Sequence, residues 1–219
     1  MLIRLDERLS IVAKHITGAV HLDIGSDHGK LLCYLLQRNI IEHGIAVENK
    51  QTPFRNSQKT LHGLNAEVYL GDGFEPVSRP VDSVSMCGMG GELIVRILAE
   101  AGAKLPSKLI LQPNTKIELV RRWAARENYH LVSEDMTHCG HAYVILALKA
   151  AKGADVAYSG VEPHLAELLG PLLIKKQEAH FIARMKHEQQ YLRGLPARTS
   201  ASQHRLECIG AVLESLCGN

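Results

Sequence analysis

The sequence predicts an α/β fold: a mostly parallel, doubly wound sheet closed by a terminal β-hairpin, with a helical extension after it. Three observations predict this. Five short apolar runs alternate with helical stretches between residues 19 and 127. Parallel strands need such crossovers, because the chain must return to the same edge before each new strand. Each run stops at a polar or glycine-rich cluster: Gly25–Gly29, Glu48-Asn49, Asp72-Gly73, Cys87–Gly91 and Pro113-Asn114. In an open α/β sheet, ligands bind beyond the carboxyl ends of the strands. Finally, two strand-like runs, His130–Glu134 and Ala142–Leu148, follow each other with only a turn at Thr137–His141 between them.

Residues 2–17 place Leu5, Leu9, Val12 and Ile16 at helical spacing, with Gly18 as a stop. Ala19–Ile24 reads as the first strand and Lys30–Arg38 as the helix after it. The second strand is His43–Val47, ending at Glu48, and a helix opens at Thr52-Pro53 and runs to about His62. Proline is tolerated in a first helical turn, where its missing N–H has no intrahelical partner to lose. Glu67–Leu70 and Val81–Met86 are the third and fourth strands, with a helix over Glu92–Ala101. Lys108–Leu111 is the fifth strand, followed by a helix over Ile117–Glu127.

Residues 1–152 thus form one domain, Lys152–Gly160 reads as a linker, and residues 160–219 form a helical extension. One helix is expected from Leu172 to Leu195, with Ile174, Phe181, Met185, Leu192 and Leu195 on a heptad seam that Glu178 and Glu188 interrupt. Pro196 breaks it, and Leu206, Ile209, Leu213 and Leu216 mark a second helix. Together they predict an antiparallel, coiled-coil-like hairpin.

The formal net charge of +2 is too small to announce nucleic-acid binding. Residues 151–219 carry eight Lys/Arg against seven Asp/Glu, and residues 1–150 carry 17 against 16, so neither part is a basic arm. RNA would have to use local patches: Arg4, Arg8 and Lys14 on the first helix, or Lys116, Arg121, Arg122 and Arg126 on another. The five scattered cysteines exclude a disulfide framework and contain no Cys-x-x-Cys. His138-Cys139-Gly140-His141 lacks a partner pair for zinc, so no metal is expected. No apolar run approaches a membrane span and no signal-peptide core opens the chain. A cytoplasmic protein is expected, with a monomer favoured.

The first strand end, Asp23-Ile24-Gly25-Ser26-Asp27-His28-Gly29, sets small residues where a backbone must approach a nucleotide-type cofactor. A strand sheet of this order with an added hairpin is the layout of class I methyltransferases. Glu48 can accept from both ribose hydroxyls, and Asp72 from an exocyclic amine of the cofactor's adenine. Each could also be an ordinary turn acid. Gly90-Gly91 is costly at a helix start, which points to a steric or conformational reason. Cys87 reads as a small buried hydrophobe rather than a nucleophile. Asn114 either presents its amide to a flat base or caps the next helix. The loop lacks Gly-x-Gly-x-x-Gly, against a nicotinamide oxidoreductase.

Taken together, Arg8-Leu9, Asp23-Ile24-Gly25-Ser26-Asp27-His28, Glu48 with Pro53-Phe54, Gly71-Asp72-Gly73, Gly88-Met89-Gly90-Gly91 and Leu109-Ile110-Leu111-Gln112-Pro113-Asn114 are similar to the bacterial tRNA (adenine-N1)-methyltransferases acting on adenine 22, the TrmK family. Arg122-Trp123, Tyr143 and Gly170-Pro171 fit as well. The chain departs from the usual pattern at Gly29–Leu32, Thr52, Phe74 and Cys87. The resemblance implies S-adenosylmethionine as methyl donor, S-adenosylhomocysteine as product, and tRNA as partner, held in part by the helical extension. The residues expected at the cofactor are Asp23, Gly25, Ser26, Asp27, His28, Glu48, Asn49, Asp72, Gly73, Cys87, Gly88, Met89 and Gly90. Those expected at the substrate are Gln112, Pro113, Asn114, Arg4 and Arg8.

N1 lies on the pairing edge of adenine, so the base must be unpaired or flipped out. Its methylation leaves a cation, which a carboxylate would stabilise as it develops. Asp27 is the expected catalytic group; its competing role is to bind the ammonium of the donor. The Cys-Gly-Met-Gly after the fourth strand differs from the Asn/Asp-Pro-Pro-aromatic motif used on exocyclic amines. Methylation of another substrate, ribosomal RNA or a small molecule, and a non-catalytic tRNA-binding protein are the alternatives.

Overall fold

The computed structural model describes residues 2–26, 28–139 and 141–217. Its seven strands are β1 (Val20–Ile24), β2 (His43–Glu48), β3 (Ala66–Leu70), β4 (Ser83–Gly90), β5 (Lys108–Thr115), β6 (Tyr129–Cys139) and β7 (His141–Ala150). They form one sheet in the order β3-β2-β1-β4-β5-β7-β6. β7 runs antiparallel to β5 and to β6, and the other pairings are parallel. The strand order reverses between β1 and β4, which opens a crevice at their carboxyl ends.

Helices α1 (Glu7–His15), α2 (Lys30–Gln37) and α3 (Gln51–Leu61) cover one face. There Val12, Leu32, Leu35 and Leu61 pack with Ala46, Ile110 and Ile145. Helices α4 (Gly91–Ala101) and α5 (Ile117–Arg126) cover the other, burying Ile94, Val120 and Trp123 against Leu22, Val84 and Leu109. That second cluster continues into Phe181, Met185 and Ile209, so the extension shares an apolar core with the sheet.

The extension holds α6 (Pro163–Leu169), α7 (Pro171–Lys176), α8 (Ala179–Arg193) and α9 (Ser200–Cys217). The single helix expected over Leu172–Leu195 is therefore two, because Gln177 turns left-handed (φ 50°) between α7 and α8. α6 was hidden from the sequence by its length of seven residues. The expected linker is tied down: the Asp155 carboxylate accepts from the N–H groups of Leu131 (2.8 Å) and Ala157 (2.9 Å). α1 starts later than expected, at Glu7, where Asp6 caps it by accepting from the Leu9 N–H at 2.7 Å. The hairpin strands run past the expected turn to Cys139 and from His141; Gly140 lies outside the described residues.

A buried ion pair joins sheet and extension. The side chains of Arg121 and Glu134 are 2% and 0% exposed and meet at 2.7 Å. Glu134 Oε2 also accepts from the first N–H groups of α7, those of Leu172 and Leu173, each at 3.2 Å. Arg121 donates to the Glu167 carbonyl at the end of α6 (2.8 Å). Each charge thus meets the helix end of opposite sign. Gly170 sits between the two helices at φ 103°, and a Cβ there would lie 2.5 Å from Glu134.

Candidate active site

The crevice between β1 and β4 contains a cavity of about 450 Å³, within the range of small-molecule sites. Asp23, Gly25, Ser26, Asn49, Asp72, Gly73, Cys87, Gly88 and Met89 line it, as does Arg8 from α1. Asp6, Lys30, Lys50 and Leu93 line it too and were not singled out from the sequence. Asp6 caps α1, and both lysines sit one residue past a strand-end motif, Lys30 after Gly29 and Lys50 after Asn49. Asp27 lies outside the described residues.

The floor is a relay of side chains from neighbouring strands. Ser85 donates to Asp23 Oδ1 at 2.5 Å. Ser85 has one hydroxyl hydrogen, so its 2.9 Å contact with His21 Nε2 must be donated by the ring. Nδ1 then accepts from Ser83, 2.7 Å away. Burial pushes His21 down to about 3, which keeps it neutral. Burial also pushes the Asp23 carboxyl up, opposed by the Ser85 hydrogen bond and the charge of Arg8.

The turn above Asp23 is sharply wound. Gly25, His28 and Gly29 have φ of 73°, 75° and 67°. A Cβ on Gly25 would meet only the movable end of Met89, Cε at 2.7 Å, so it is the left-handed φ that favours glycine there. His28 is exposed and holds a left-handed conformation that costs a non-glycine residue about 1 kcal/mol or more. Ser26 Oγ is buried in the lining beside the Asp23 carboxylate, its one partner there, and that contact falls short of good hydrogen-bond geometry. A ligand with a polar group would satisfy the hydroxyl.

β4 and β5 extend further than their apolar runs. The backbone of Gly88 in β4 and the side-chain amide of Gln112 explain why: Gln112 Oε1 accepts from the Gly88 N–H (3.1 Å) and from Arg8 (2.7 Å). Gln112 Nε2 donates to Asn114 Oδ1 (3.0 Å), and Asn114 Nδ2 donates to the Gly88 carbonyl (2.8 Å). The strands pair on through Met89↔Pro113 and Gly90↔Thr115 with register shifts. Cys87–Gly90 is thus strand rather than loop, and Gly91 opens α4. Asn114 does not cap α5, whose N-cap position is Lys116. Gln112 and Pro113 are buried behind the cavity, while Asn114 is exposed. Arg8 also lies over the Tyr143 ring, 5.4 Å from its centroid.

Gly91 has the steric reason its position suggested: a Cβ would lie 2.3 Å from the Lys116 carbonyl oxygen. Glu48 is buried at the end of β2 and accepts from Ser57 (3.3 Å), beside the lining rather than in it. Asp72 reaches the lining but pairs with Arg96 of α4 at 2.8 Å. Burial, with the Asp23 charge added, pushes the Cys87 thiol far up, which leaves it a poor nucleophile. Gly90 adjoins Thr115, where a Cβ would lie 3.2 Å from Oγ1. Arg4 is exposed away from the cavity lining. The second basic patch is largely neutralised: Lys116 pairs with Glu92, Arg121 with Glu134 and Arg122 with Glu167.

This geometry can be set beside known proteins. The family model for tRNA (adenine(22)-N(1))-methyltransferase, TrmK, matches residues 21–213. The chain belongs to the TrmK family. It is 35% identical over 202 residues to the tRNA (adenine(22)-N(1))-methyltransferase of Bacillus subtilis, covering 88% of this chain and 84% of that one. The crystal structure of B. subtilis TrmK superposes with a TM-score of 0.84 at 32% identity, covering 99% of this chain and 98% of that one. A Streptococcus pneumoniae protein, Sp1610, solved in complex with S-adenosyl-L-methionine, is 30% identical with a TM-score of 0.86, covering 96% and 100%. M. capricolum TrmK, solved with S-adenosyl-homocysteine, is 26% identical with a TM-score of 0.83, covering 96% and 98%. Among the described residues no helix is long and apolar enough to cross a membrane.

Proposed function

We propose that this TrmK-family chain methylates N1 of adenine 22 in tRNA, with S-adenosylmethionine as donor, acting as a cytoplasmic monomer. The observation that carries the reading is the crevice at the carboxyl ends of β1, β2 and β4, lined by Asp23, Gly25, Ser26 and Asn49. Its size and its polar lining, with the Ser26 hydroxyl and the Asp23 carboxylate side by side, fit a nucleoside-type donor. The donor supplies an electrophilic methyl group on a sulfonium.

The chain's own residues do the rest. Asp23, held by Ser85, keeps a carboxylate under the turn and faces the cationic donor. Gly25 and Gly73 keep the walls close, and Asn49 with the buried Glu48 serves the ribose side. The Arg8–Gln112–Gly88–Asn114 chain positions the β4 and β5 ends where the base must enter. Gln112 therefore acts through Gly88 and Arg8 as a positioning residue. Asp27, between Ser26 and His28 in the chain, stabilises the charge that N1 acquires and orients the adenine amino group. Residues 160–219 help hold the tRNA.

Calorimetry with S-adenosylmethionine and transfer of labelled methyl groups to separate tRNA and ribosomal RNA pools test this reading. Donor binding with label in tRNA supports it; label in ribosomal RNA alone, or no donor binding, defeats it. Asp27→Ala is expected to abolish transfer while donor affinity stays within about tenfold, or roughly 1.4 kcal/mol. Retained transfer removes Asp27 from catalysis. Loss of donor binding as well assigns it to the donor's ammonium.

A further inference from the structure

A second cavity, of about 680 Å³, opens between the β6–β7 hairpin and α8. Met136 and Ala142 of the hairpin and Arg184, His187 and Tyr191 of α8 line it. One hydrogen bond links it to the active site: Asn114, which lines this cavity, donates to the carbonyl of Gly88, a residue lining the first.

The charges here are unbalanced. Arg184 is half-buried, and its hydrogen-bond acceptor is the thioether of Met136, 3.6 Å from Nη1. A thioether is a weak acceptor for a guanidinium. The adjacent carboxylate, Glu188, is engaged by Arg205 through both oxygens, with Nη2 to Oε2 at 3.1 Å. Burial and the charges of Arg205 and Arg121 press on Arg184, with Glu188 opposing. A desolvated guanidinium with a soft partner favours an anion that offers oxygen atoms. Beside it stand an imidazole, His187, and a phenol ring, Tyr191, which is 63% exposed. An exposed aromatic next to a free-facing arginine is the combination that grips a single nucleotide: a ring for the base and a fork for the phosphate.

We propose that this cleft is a nucleotide subsite of the RNA substrate: Arg184 takes a backbone phosphate, and Tyr191 stacks on an unpaired base near the target adenine. The proposal rests on the tRNA reading above and specifies where, outside the methyl-transfer crevice, the substrate strand is held. The cavity has room for one nucleotide, and with Glu188 taken up by Arg205, the Arg184 guanidinium is the charge left to meet a phosphate.

The test is binding of an unmodified tRNA transcript over a range of salt, with donor affinity measured in parallel. In Arg184→Gln, tRNA affinity is expected to fall about tenfold near 0.1 M salt, and the slope of log affinity against log salt to flatten by about 0.7–0.9, the signature of one lost phosphate contact. In Tyr191→Ala, affinity is expected to fall about tenfold with the slope unchanged, since stacking releases no counterions. Tyr191 is exposed, so this variant folds even if Arg184→Gln does not. S-adenosylmethionine affinity stays within twofold in both. Unchanged tRNA affinity in Tyr191→Ala together with an unchanged salt slope in Arg184→Gln overturns the subsite while wild-type methylation stands. A wild-type protein that neither binds nor methylates tRNA overturns the functional reading and the subsite with it.

Discussion

Replacing Glu134 with alanine removes the centre of the contact between sheet and extension. Arg121, 2% exposed, is left as a buried cation without its carboxylate. The Leu172 and Leu173 N–H groups at the start of α7 lose their acceptor as well. Breaking one side of a buried pair costs about 3–5 kcal/mol. A chain of this length shifts its melting temperature by about 2–4 °C per kcal/mol, so Glu134→Ala should melt roughly 10 °C lower. The double variant Arg121→Met with Glu134→Leu removes both charges. It should recover most of the loss but not all, because the Glu167 carbonyl and the two α7 N–H groups stay unpaired. Thermal denaturation followed by circular dichroism on the wild type, Glu134→Ala, Arg121→Met and the double variant reads these values. Single variants that melt within about 3 °C of the wild type, or a double variant no better than the singles, would refute the reasoning.

His21 gives a pH signature. Its folded value is about 3 while the unfolded imidazole titrates near its ordinary 6.5, so the unfolded chain binds the extra proton first. Stability from this residue is therefore lost as pH falls from about 6.5 toward 3, by about 2 kcal/mol at pH 5. Urea midpoints at pH 7 and pH 5 should converge less in the wild type than in His21→Gln, which is expected to remove that part of the slope; equal slopes contradict it. Arg8→Met breaks the 2.7 Å bond to Gln112 and the contact with Tyr143. Misplacing the β4–β5 ends should lower kcat/KM for tRNA methylation about 10- to 100-fold with donor affinity nearly unchanged. Activity within twofold of wild type would show that Gln112 does not need Arg8.

The parallel sheet was legible because its strands are short apolar runs buried on both faces, ended by glycine and acid clusters. Its polar interior was not. His21, Ser83 and Ser85 read as interruptions in apolar strands, yet pairing His21↔Ser83 and Asp23↔Ser85 makes them neighbours. The extension of β4 and β5 through Gly88 and Pro113 was hidden because those residue types are poor strand formers and are retained by side-chain bonds from Gln112 and Asn114. The strand-end assignments brought most of the named residues to one crevice, but sequence distance concealed partners such as Arg96 on Asp72. The break between α7 and α8 follows from a left-handed Gln177, a residue type with no strong signal for that conformation. Arg121 read as part of a basic patch open to RNA; only the fold shows that it is buried against Glu134.

The central claim concerns one atom of one nucleotide. Purified protein, labelled S-adenosylmethionine and a pair of tRNA transcripts, one with adenine and one with guanine at position 22, followed by nuclease digestion and mass spectrometry, test it most directly. The account predicts a single N1-methyladenosine in the first transcript and no label in the second. Label in both transcripts, or a methyl group on the exocyclic amine, would contradict it.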